Sequence, residues 1–370
     1  MKRRVSFVIA IAAGLVAATV ARGGHELPVY PSYYPHEIAI ATIAPDQAAG
    51  LLRDGKIQAY VGGAPTFADT VPGSIGAVES LGSFVIVRVN PLSPYAKDDA
   101  SACSAVRAVA RAVAANRDVV PHPYPVTPFH GDYLHHVDRA EAMAASLLDP
   151  RQAAPSIEDL KVRATDTAAT AGGWDVEIKE VAASQLVAST MTVLNGWLGP
   201  PALKTGWYQA YLLLGDAVED KARERLERNL RRLRDGGNAD AVERTNLERD
   251  LVAKLIAGCR KLVIGYTVKR DYYNADFSAG IENIGYDAQQ GFNSPIFIRT
   301  VKLKDFPWNG WLALGLDAHG QAAWNPIAGF TDAFGRLMWA ALSDPAAMPA
   351  PYDTGWLLNR ISDVQSTPRQ

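Results

Sequence analysis

The stretch EIAIATIAPDQAAGLLRDGKIQAYV, residues 37–61, decides the fold that we predict. Polar or small residues alternate with isoleucines over residues 37–43, which is the period of a strand. Pro45 then opens a short helix, because proline is tolerated in the first helical turn. Gly55 ends this helix, and residues 57–61 form a second strand. A strand, a helix and a second strand in this order predict a parallel sheet with helices on its faces.

Further elements along the chain favour an α/β protein. The apolar run FVIVRV, residues 84–89, is typical of a strand that is buried on both faces. Residues 208–235 carry leucines at helical spacing and form one long helix, the first arm of a helical hairpin that ends at residue 257. Strands are predicted again over residues 262–266 and 296–303.

We predict two lobes with a flanking segment at each end of the chain. Residues 22–155 form the first α/β lobe, which includes a His/Pro-rich insertion, and residues 156–290 form the second lobe with the helical hairpin. Residues 291–370, rich in Trp and Pro, return across the lobes. Ligands of open sheets bind outside the carboxyl ends of the strands, so we expect the site there.

The first 21 residues have the pattern of a signal peptide that is cleaved near Ala21. Three basic residues begin the segment, residues 5–20 carry no charge, and Thr19 and Ala21 are small, as a signal peptidase requires. An uncleaved membrane anchor is the alternative, but the uncharged run is shorter than the about 20 apolar residues that cross a bilayer. The pattern predicts an exported protein, located in the periplasm of a Gram-negative cell.

Composition and charge exclude several classes of protein. A chain of 370 residues with 48% hydrophobic and 21% charged side chains is neither disordered nor fibrous. The net charge of −2 gives no general attraction to nucleic acid. The arginines of residues 223–234 are interspersed with acidic residues, which is typical of a solvated helix face. We therefore expect no nucleic-acid partner.

The two cysteines, Cys103 and Cys259, leave two interpretations open. An oxidising compartment permits a disulfide between them, which would restrict the unfolded chain by about 4–5 kcal/mol in the loop-entropy model. Alternatively, each is a buried thiol that packs as a small hydrophobic residue inside a helix.

Three segments, in this chain order, resemble the type II periplasmic solute-binding proteins of ABC importers, and the second resembles their phosphonate- and phosphite-type branch. They are LLRDGKIQAYV (51–61), SFVIVRVNPLSP (83–94) and IEDLKVR (157–163). The chain departs from the family pattern at Gln58, at Val162 and in an insertion over residues 96–155.

The resemblance implies two α/β lobes that close around a solute without catalysis. It also implies an ABC permease and ATPase as partners, contact with the membrane only through that permease, and a monomer. Its solute site would include Thr167 and Thr170, in the loop where these proteins often place hydroxyls and amides around an anion. A plain surface turn is the alternative for this loop.

The segment HPYPVTPFHGDYLHH, residues 122–136, concentrates candidate metal ligands. Imidazoles with one carboxylate suffice for a transition metal, and prolines stiffen the loop that would hold them. The alternatives are structural histidines on an aromatic-rich loop and direct contact with an organic ligand. The predicted metal ligands are His122, His130, His135, His136 and Asp132.

Aromatic residues supply the remaining candidates for ligand binding. Tyr34 and His36 belong to a proline-rich entry segment, and Trp308 and Trp311 flank a turn where they could stack on a solute; large aromatics are otherwise core residues. An acidic region over residues 271–287 could suit a hard cation, although it fails the EF-hand pattern and is otherwise a strand edge or turn.

These features favour an exported solute-binding component of an ABC importer, which captures a small solute or metal ion. We predict no certain cofactor apart from a possible metal ion, and no enzyme activity, because the sequence lacks a GxSxG elbow, a P-loop and a dinucleotide fingerprint. The alternative is a periplasmic metal-handling or accessory partner of a redox enzyme, and a hydrolase with a less evident site ranks third.

Overall fold

The structure is a computed structural model that describes residues 35–164, 173–190, 201–305, 310–320, 332–352 and 355–363. The predicted signal peptide lies outside these residues. The strands are β1 (Glu37–Thr42), β2 (Ala59–Val61), β3 (Ile75–Val89), β4 (Val120–Pro121), β5 (Val162–Ala164), β6 (Val176–Ala182), β7 (Lys261–Asn274), β8 (Ile281–Glu282), β9 (Lys302–Leu303), β10 (Trp311–Leu316), β11 (Ala347–Pro349) and β12 (Trp356–Leu358).

Helices flank these strands along the whole described chain, which confirms the predicted α/β class. The α-helices are α1 (Pro45–Arg53), α2 (Asp99–Ala114), α3 (Val137–Leu148), α4 (Ala183–Thr190), α5 (Gly206–Leu214), α6 (Asp220–Arg234), α7 (Ala241–Leu255), α8 (Pro295–Thr300) and α9 (Ala333–Leu342).

Two predictions about local structure are wrong. The helix expected over residues 208–235 is two helices, because the chain turns through a short 3-10 segment, Gly215–Ala217, between α5 and α6. The strand expected over residues 296–303 is mostly helix α8, which begins with Pro295 in its first turn. A short apolar run has no period that separates a strand from a buried helix, so this residue pattern misled the prediction.

One sheet carries most of the strands, in the order β1-β10-β2-β7-β3-β6-β5, with β4 paired to β7. The first three strands are mutually parallel, and β7 is antiparallel to β2. The long strands β3 and β7 pair with each other over almost their full length. They therefore join two halves of the sheet: one with β1, β10 and β2, the other with β6 and β5.

Each half of the sheet is covered on both faces. In the half with β6, Phe84 and Ile86 enter one cluster with Trp207 and the hairpin helices, while Val85 and Val87 enter another with α2. In the half with β1, alternate residues of β2 and β10 likewise divide between two clusters. This alternation follows from the two-residue period of a strand. We call the two clusters of each half together its core, so the sheet has two separate cores. The predicted lobe boundaries at residues 155 and 290 stay a prediction.

A β-bulge marks the point where β3 and β7 pass from one half to the other. The pairing Leu81↔Val268 is followed directly by Phe84↔Tyr266, so two residues of β3 lie opposite Thr267. Gly82 is one of them, and a side chain there would meet the Thr267 Oγ1 at 2.6 Å. Ser83 is the other, and its backbone N–H donates to the same hydroxyl at 3.0 Å. A bulge bends and twists a strand, and this one lies between the two cores.

The cysteines form a disulfide between Cys103 of α2 and Cys259, which precedes β7, with their Cα atoms 5.0 Å apart. The interpretation as two separate buried thiols is therefore wrong. The bridge closes a loop of 156 residues and lies in the cluster that α2 forms on the sheet. Among the residues that the structure describes, we find no helix with the length and apolar character needed to cross a membrane.

Candidate functional site

Two neighbouring parallel strands end side by side at the candidate site. Val61, the last residue of β2, pairs with Leu316, the last residue of β10. Gly62 and Asp317 follow them directly. This edge is where open α/β sheets bind ligands, because the carboxyl ends of parallel strands present free backbone groups there.

A cavity of about 340 Å³ opens at this edge, next to the β-bulge. Its wall includes Ser184 of α4, which belongs to the half of the sheet with β6, as well as residues of the half with β1. The cavity therefore lies between the two cores. Its lining residues are Gly62, Leu81, Gly82, Ser184, Lys269, Gln289, Gln290, Asn293, Asp317, Ala318, Ala333, Phe334 and Arg336.

Three charged side chains of both signs line this cavity: Lys269, Asp317 and Arg336. Desolvation raises the pKa of Asp317, and the charge of Lys269 opposes this rise while Asp271 adds to it. Burial lowers the pKa of Arg336, although Asp332 opposes this change. The cavity therefore presents two basic side chains and one carboxyl group to a solute.

Asp271 contacts two of the residues that line the cavity, Gly62 and Lys269. It is fully buried, and its two carboxylate oxygens accept hydrogen bonds from the backbone N–H groups of Gly62 (3.2 Å) and Phe292 (2.8 Å). The ammonium of Lys269 lies 3.3 Å from the same carboxylate. One side chain thus ties the end of β2, strand β7 and the loop before α8 into fixed positions.

Two amide side chains add hydrogen-bonding groups. Gln289 is buried and already bonded, since its oxygen accepts from Gln209 at 2.7 Å and its nitrogen donates to the carbonyl of Lys204 at 2.9 Å. Asn293 differs, because its buried Oδ1 has no hydrogen-bond partner among the described residues. A buried acceptor without a donor costs free energy.

Of the predicted ligand-binding residues, the structure describes His36 and Trp311, and neither lines this cavity. Trp311 is 68% exposed and begins β10, at the strand end opposite to Asp317. His36 lies beside it, with its backbone N–H bonded to Gly310. Their role in binding stays a prediction. The other candidates, Tyr34, Thr167, Thr170 and Trp308, lie outside the described residues.

Two of the predicted metal ligands come together, and the other three have different partners. Asp132 and His136 come together with Glu248 of α7, and one ligand atom of each lies within 4.8 Å of the others. His135 is half-exposed and contacts Glu248 at 3.3 Å. His122 bonds the carbonyl of Val126 at 2.9 Å. The last predicted imidazole, of His130, bonds Thr127 and the Gln209 side chain instead.

Sequence reasoning missed Glu248 and the three charged residues of the cavity. A signal for Glu248 exists, because it occupies a stripe with Leu251, Val252 and Leu255, and a carboxylate among apolar core positions of a helix needs a partner. Asp317 has a signal of another kind, since it directly follows an apolar strand. Neither signal identifies which distant segments meet there.

Comparison with known proteins gives a structural likeness only. No family model matches the sequence, and neither does any curated protein. The chain is similar to HbpA2 from Haemophilus parasuis, with 12% identity, a TM-score of 0.42 and coverage of 71% of this chain and 57% of that one.

Two further solved structures are similar to a comparable degree. For a putative peptide binding protein AppA from Clostridium difficile the identity is 10%, the TM-score 0.41 and the coverage 70% of this chain and 60% of that one. For the ABC transporter-associated periplasmic binding protein DppA from Helicobacter pylori, in complex with peptide STSA, the identity is 12% and the TM-score 0.36. The coverage is 70% of this chain and 55% of that one. The chain therefore spans less than two thirds of the length of each of these proteins.

Proposed function

We propose that this protein is the exported solute-binding component of an ABC import system and that it captures a small polar solute without turnover. The observation that carries the proposal is the cavity between the two cores, at the carboxyl ends of two parallel strands and beside the β-bulge. A solute held there would contact both halves of the sheet at once, and contact with both is what would favour a closed arrangement of two lobes.

The charges of the cavity favour a zwitterionic solute, such as an amino acid or a short peptide. Lys269 and Arg336 would bind a carboxylate, while Asp317 would accept from an ammonium group. A volume of about 340 Å³ is at the lower end of the range for small-molecule sites, which suits one or two amino-acid residues. Charge-assisted hydrogen bonds to each end of such a solute would fix its orientation.

An oxyanion of the phosphonate and phosphite type is the second candidate. It is supported by the two cations, Lys269 and Arg336, on the cavity wall. Asp317 works against it, because a second negative charge in the same cavity would repel the anion and raise the pKa of this carboxyl further. The remaining parts of the role, a monomer that delivers its solute to an ABC permease and ATPase in the periplasm, belong to the same proposal.

Isothermal titration calorimetry against a panel of solutes tests the proposal. The panel contains glycine, L-alanine, di- and tripeptides, phosphate and methylphosphonate, each titrated into the mature protein. We expect at least one zwitterion to bind at a 1:1 ratio with a Kd of about 10 μM or lower, and the two anions to bind more weakly. Binding of phosphate or methylphosphonate alone would favour the second candidate, and no binding by any member would contradict a solute-binding role.

An Asp317→Asn substitution should weaken binding of the zwitterion by about 10- to 100-fold, because it removes one charge-assisted hydrogen bond of about 1.5–3 kcal/mol. In the wild-type protein the affinity should also fall as the pH is lowered. The pKa of Asp317 is raised, so this loss should begin at a higher pH than for an ordinary carboxylate. Titrations between pH 4 and 8 measure both effects. Asp118→Asn, at an exposed position far along the sequence, is the control and should bind as the wild type does.

A further inference from the structure

A buried group of three ligand-type side chains lies away from the solute cavity, between the His/Pro-rich segment and the helical hairpin. Asp132, His136 and Glu248 are 6%, 0% and 3% exposed. One nitrogen or oxygen of each lies within 4.8 Å of the others. We refer to these three residues as the buried triad.

Local structure fixes each member of the triad. Asp132 precedes the 3-10 turn Tyr133–His135, and His136 is the residue directly before helix α3. Glu248 lies within α7, on the helix stripe that faces the core. Residues from two segments that are more than 100 positions apart in sequence therefore converge in the protein interior.

The imidazole of His136 has one nitrogen available. Its Nδ1 is 2.8 Å from the Tyr124 hydroxyl, whereas its Nε2 is buried and has no hydrogen-bond partner among the described residues. When Nδ1–H donates to the tyrosine oxygen, Nε2 carries a free electron pair, which is the state of a metal-bound histidine.

The two carboxylates are only partly compensated. Asp132 accepts from the backbone N–H groups of Gly206 (2.8 Å) and Trp207 (3.1 Å), at the start of α5. Glu248 pairs with Arg244 at 3.0 Å and with the half-exposed His135. Arg244 pairs with Glu248, whereas the donors given above for Asp132 are neutral backbone N–H groups, so a divalent cation would neutralise charge that these contacts leave.

We propose that the buried triad binds one divalent transition-metal ion, with Zn²⁺ as the reference ion, through His136 Nε2 and one oxygen each of Asp132 and Glu248. One nitrogen and two carboxylate oxygens form a ligand set that zinc accepts, and a fourth position remains for water. Ligand atoms on one zinc ion lie about 3.3 Å apart, as follows from bonds of about 2.0–2.1 Å in tetrahedral geometry. The ligand atoms of the triad lie within 4.8 Å of one another, so they would move closer together on binding the ion.

The ion would have a structural role and would not be the transported solute. It would connect the His/Pro-rich segment to α7, and through Asp132 to the first turn of α5. These elements contribute to the core of the half of the sheet with β6. Binding of an ion to the folded state alone stabilises the fold by mass action. The inference is independent of the solute cavity, since it uses none of the cavity's residues.

Metal titration of the mature protein, stripped with a chelator and held at pH 7.5, tests the inference. We expect one Zn²⁺ per chain and a rise in Tm of about 3–6 °C at a 100-fold excess of free Zn²⁺ over Kd. With Co²⁺, the visible d–d bands of a tetrahedral N/O site should appear at the same stoichiometry. No binding of either ion, or more than one equivalent with no defined site, would overturn the proposal.

Variants identify the ligands. His136→Gln and Glu248→Gln should each weaken Zn²⁺ binding by at least about 100-fold. The control is His122→Gln, which changes a predicted ligand that lies outside the triad and should leave the affinity unchanged. Glu248→Gln keeps the size and shape of the side chain, so it remains informative if His136→Gln fails to fold. Unchanged affinity in Glu248→Gln, or an equal loss in His122→Gln, would contradict this ligand set.

Discussion

Replacing Asp271 with alanine is expected to lower the free energy of unfolding by about 3–5 kcal/mol. The carboxylate is fully buried and accepts from the N–H groups of Gly62 and Phe292. Alanine would leave both donors without a partner, at a cost of about 1–3 kcal/mol each, and would remove the ion pair with Lys269. Urea denaturation followed by circular dichroism measures this change.

Two further variants make this prediction specific. Gly291→Ala should also destabilise the protein, because a side chain there would lie 2.0 Å from the Asp271 Oδ2 and the residue has a positive φ of +63°. Asp118→Ala, on the exposed surface, should change the free energy of unfolding by less than about 0.5 kcal/mol. Equal stability of Asp271→Ala and the wild type would show that the three segments meet without this carboxylate.

Removal of the disulfide, by Cys103→Ala with Cys259→Ala, is expected to cost about 3–5 kcal/mol. The bridge closes a 156-residue loop, and a long closed loop removes much entropy from the unfolded chain. It also fastens α2 to the start of β7, within the core on one face of the sheet.

Denaturation curves of the double variant and of the wild type, each with and without reductant, measure this effect. Reduction of the wild type should reproduce most of the loss, and reductant should leave the double variant unchanged. A double variant as stable as the oxidised wild type would contradict the expected contribution of the bridge.

Local patterns predicted part of the fold. The alternating segment before Pro45, the helix after it and the buried strand at residues 84–89 are all present, because each is specified by neighbouring residues. The position of β10 between β1 and β2 was not predictable in this way. Its pairing joins Glu37 to Trp311, and nothing in either short strand specifies so distant a partner. Similarly, the apolar run after Ser294 forms a helix because tertiary burial, not local period, decides its structure.

The candidate sites were predictable only where residues cluster in sequence. The density of histidines drew attention to Asp132 and His136, but it could not distinguish His136, which has a free nitrogen, from His130, whose ring is bonded to Thr127 and Gln209. The difference depends on Gln209, which bonds the His130 ring from 79 positions away in sequence. The cavity could not be predicted from the sequence, because its charged residues come from three elements that are distant along the chain: β7, the end of β10 and α9.

The central claim is that a small polar solute binds in the cavity between the two cores, and filling that cavity tests it most directly. Ala318 lines the cavity, and Ala318→Trp would occupy much of the about 340 Å³. Ala100→Trp, the matched control, introduces the same side chain at an exposed position of α2.

Both variants and the wild type are titrated by calorimetry with the tightest-binding zwitterion of the panel, after circular dichroism has established that each is folded. We expect Ala318→Trp to bind at least about 100-fold more weakly than the wild type, whereas Ala100→Trp should retain the wild-type affinity. A folded Ala318→Trp protein with the affinity of the wild type would contradict the central claim.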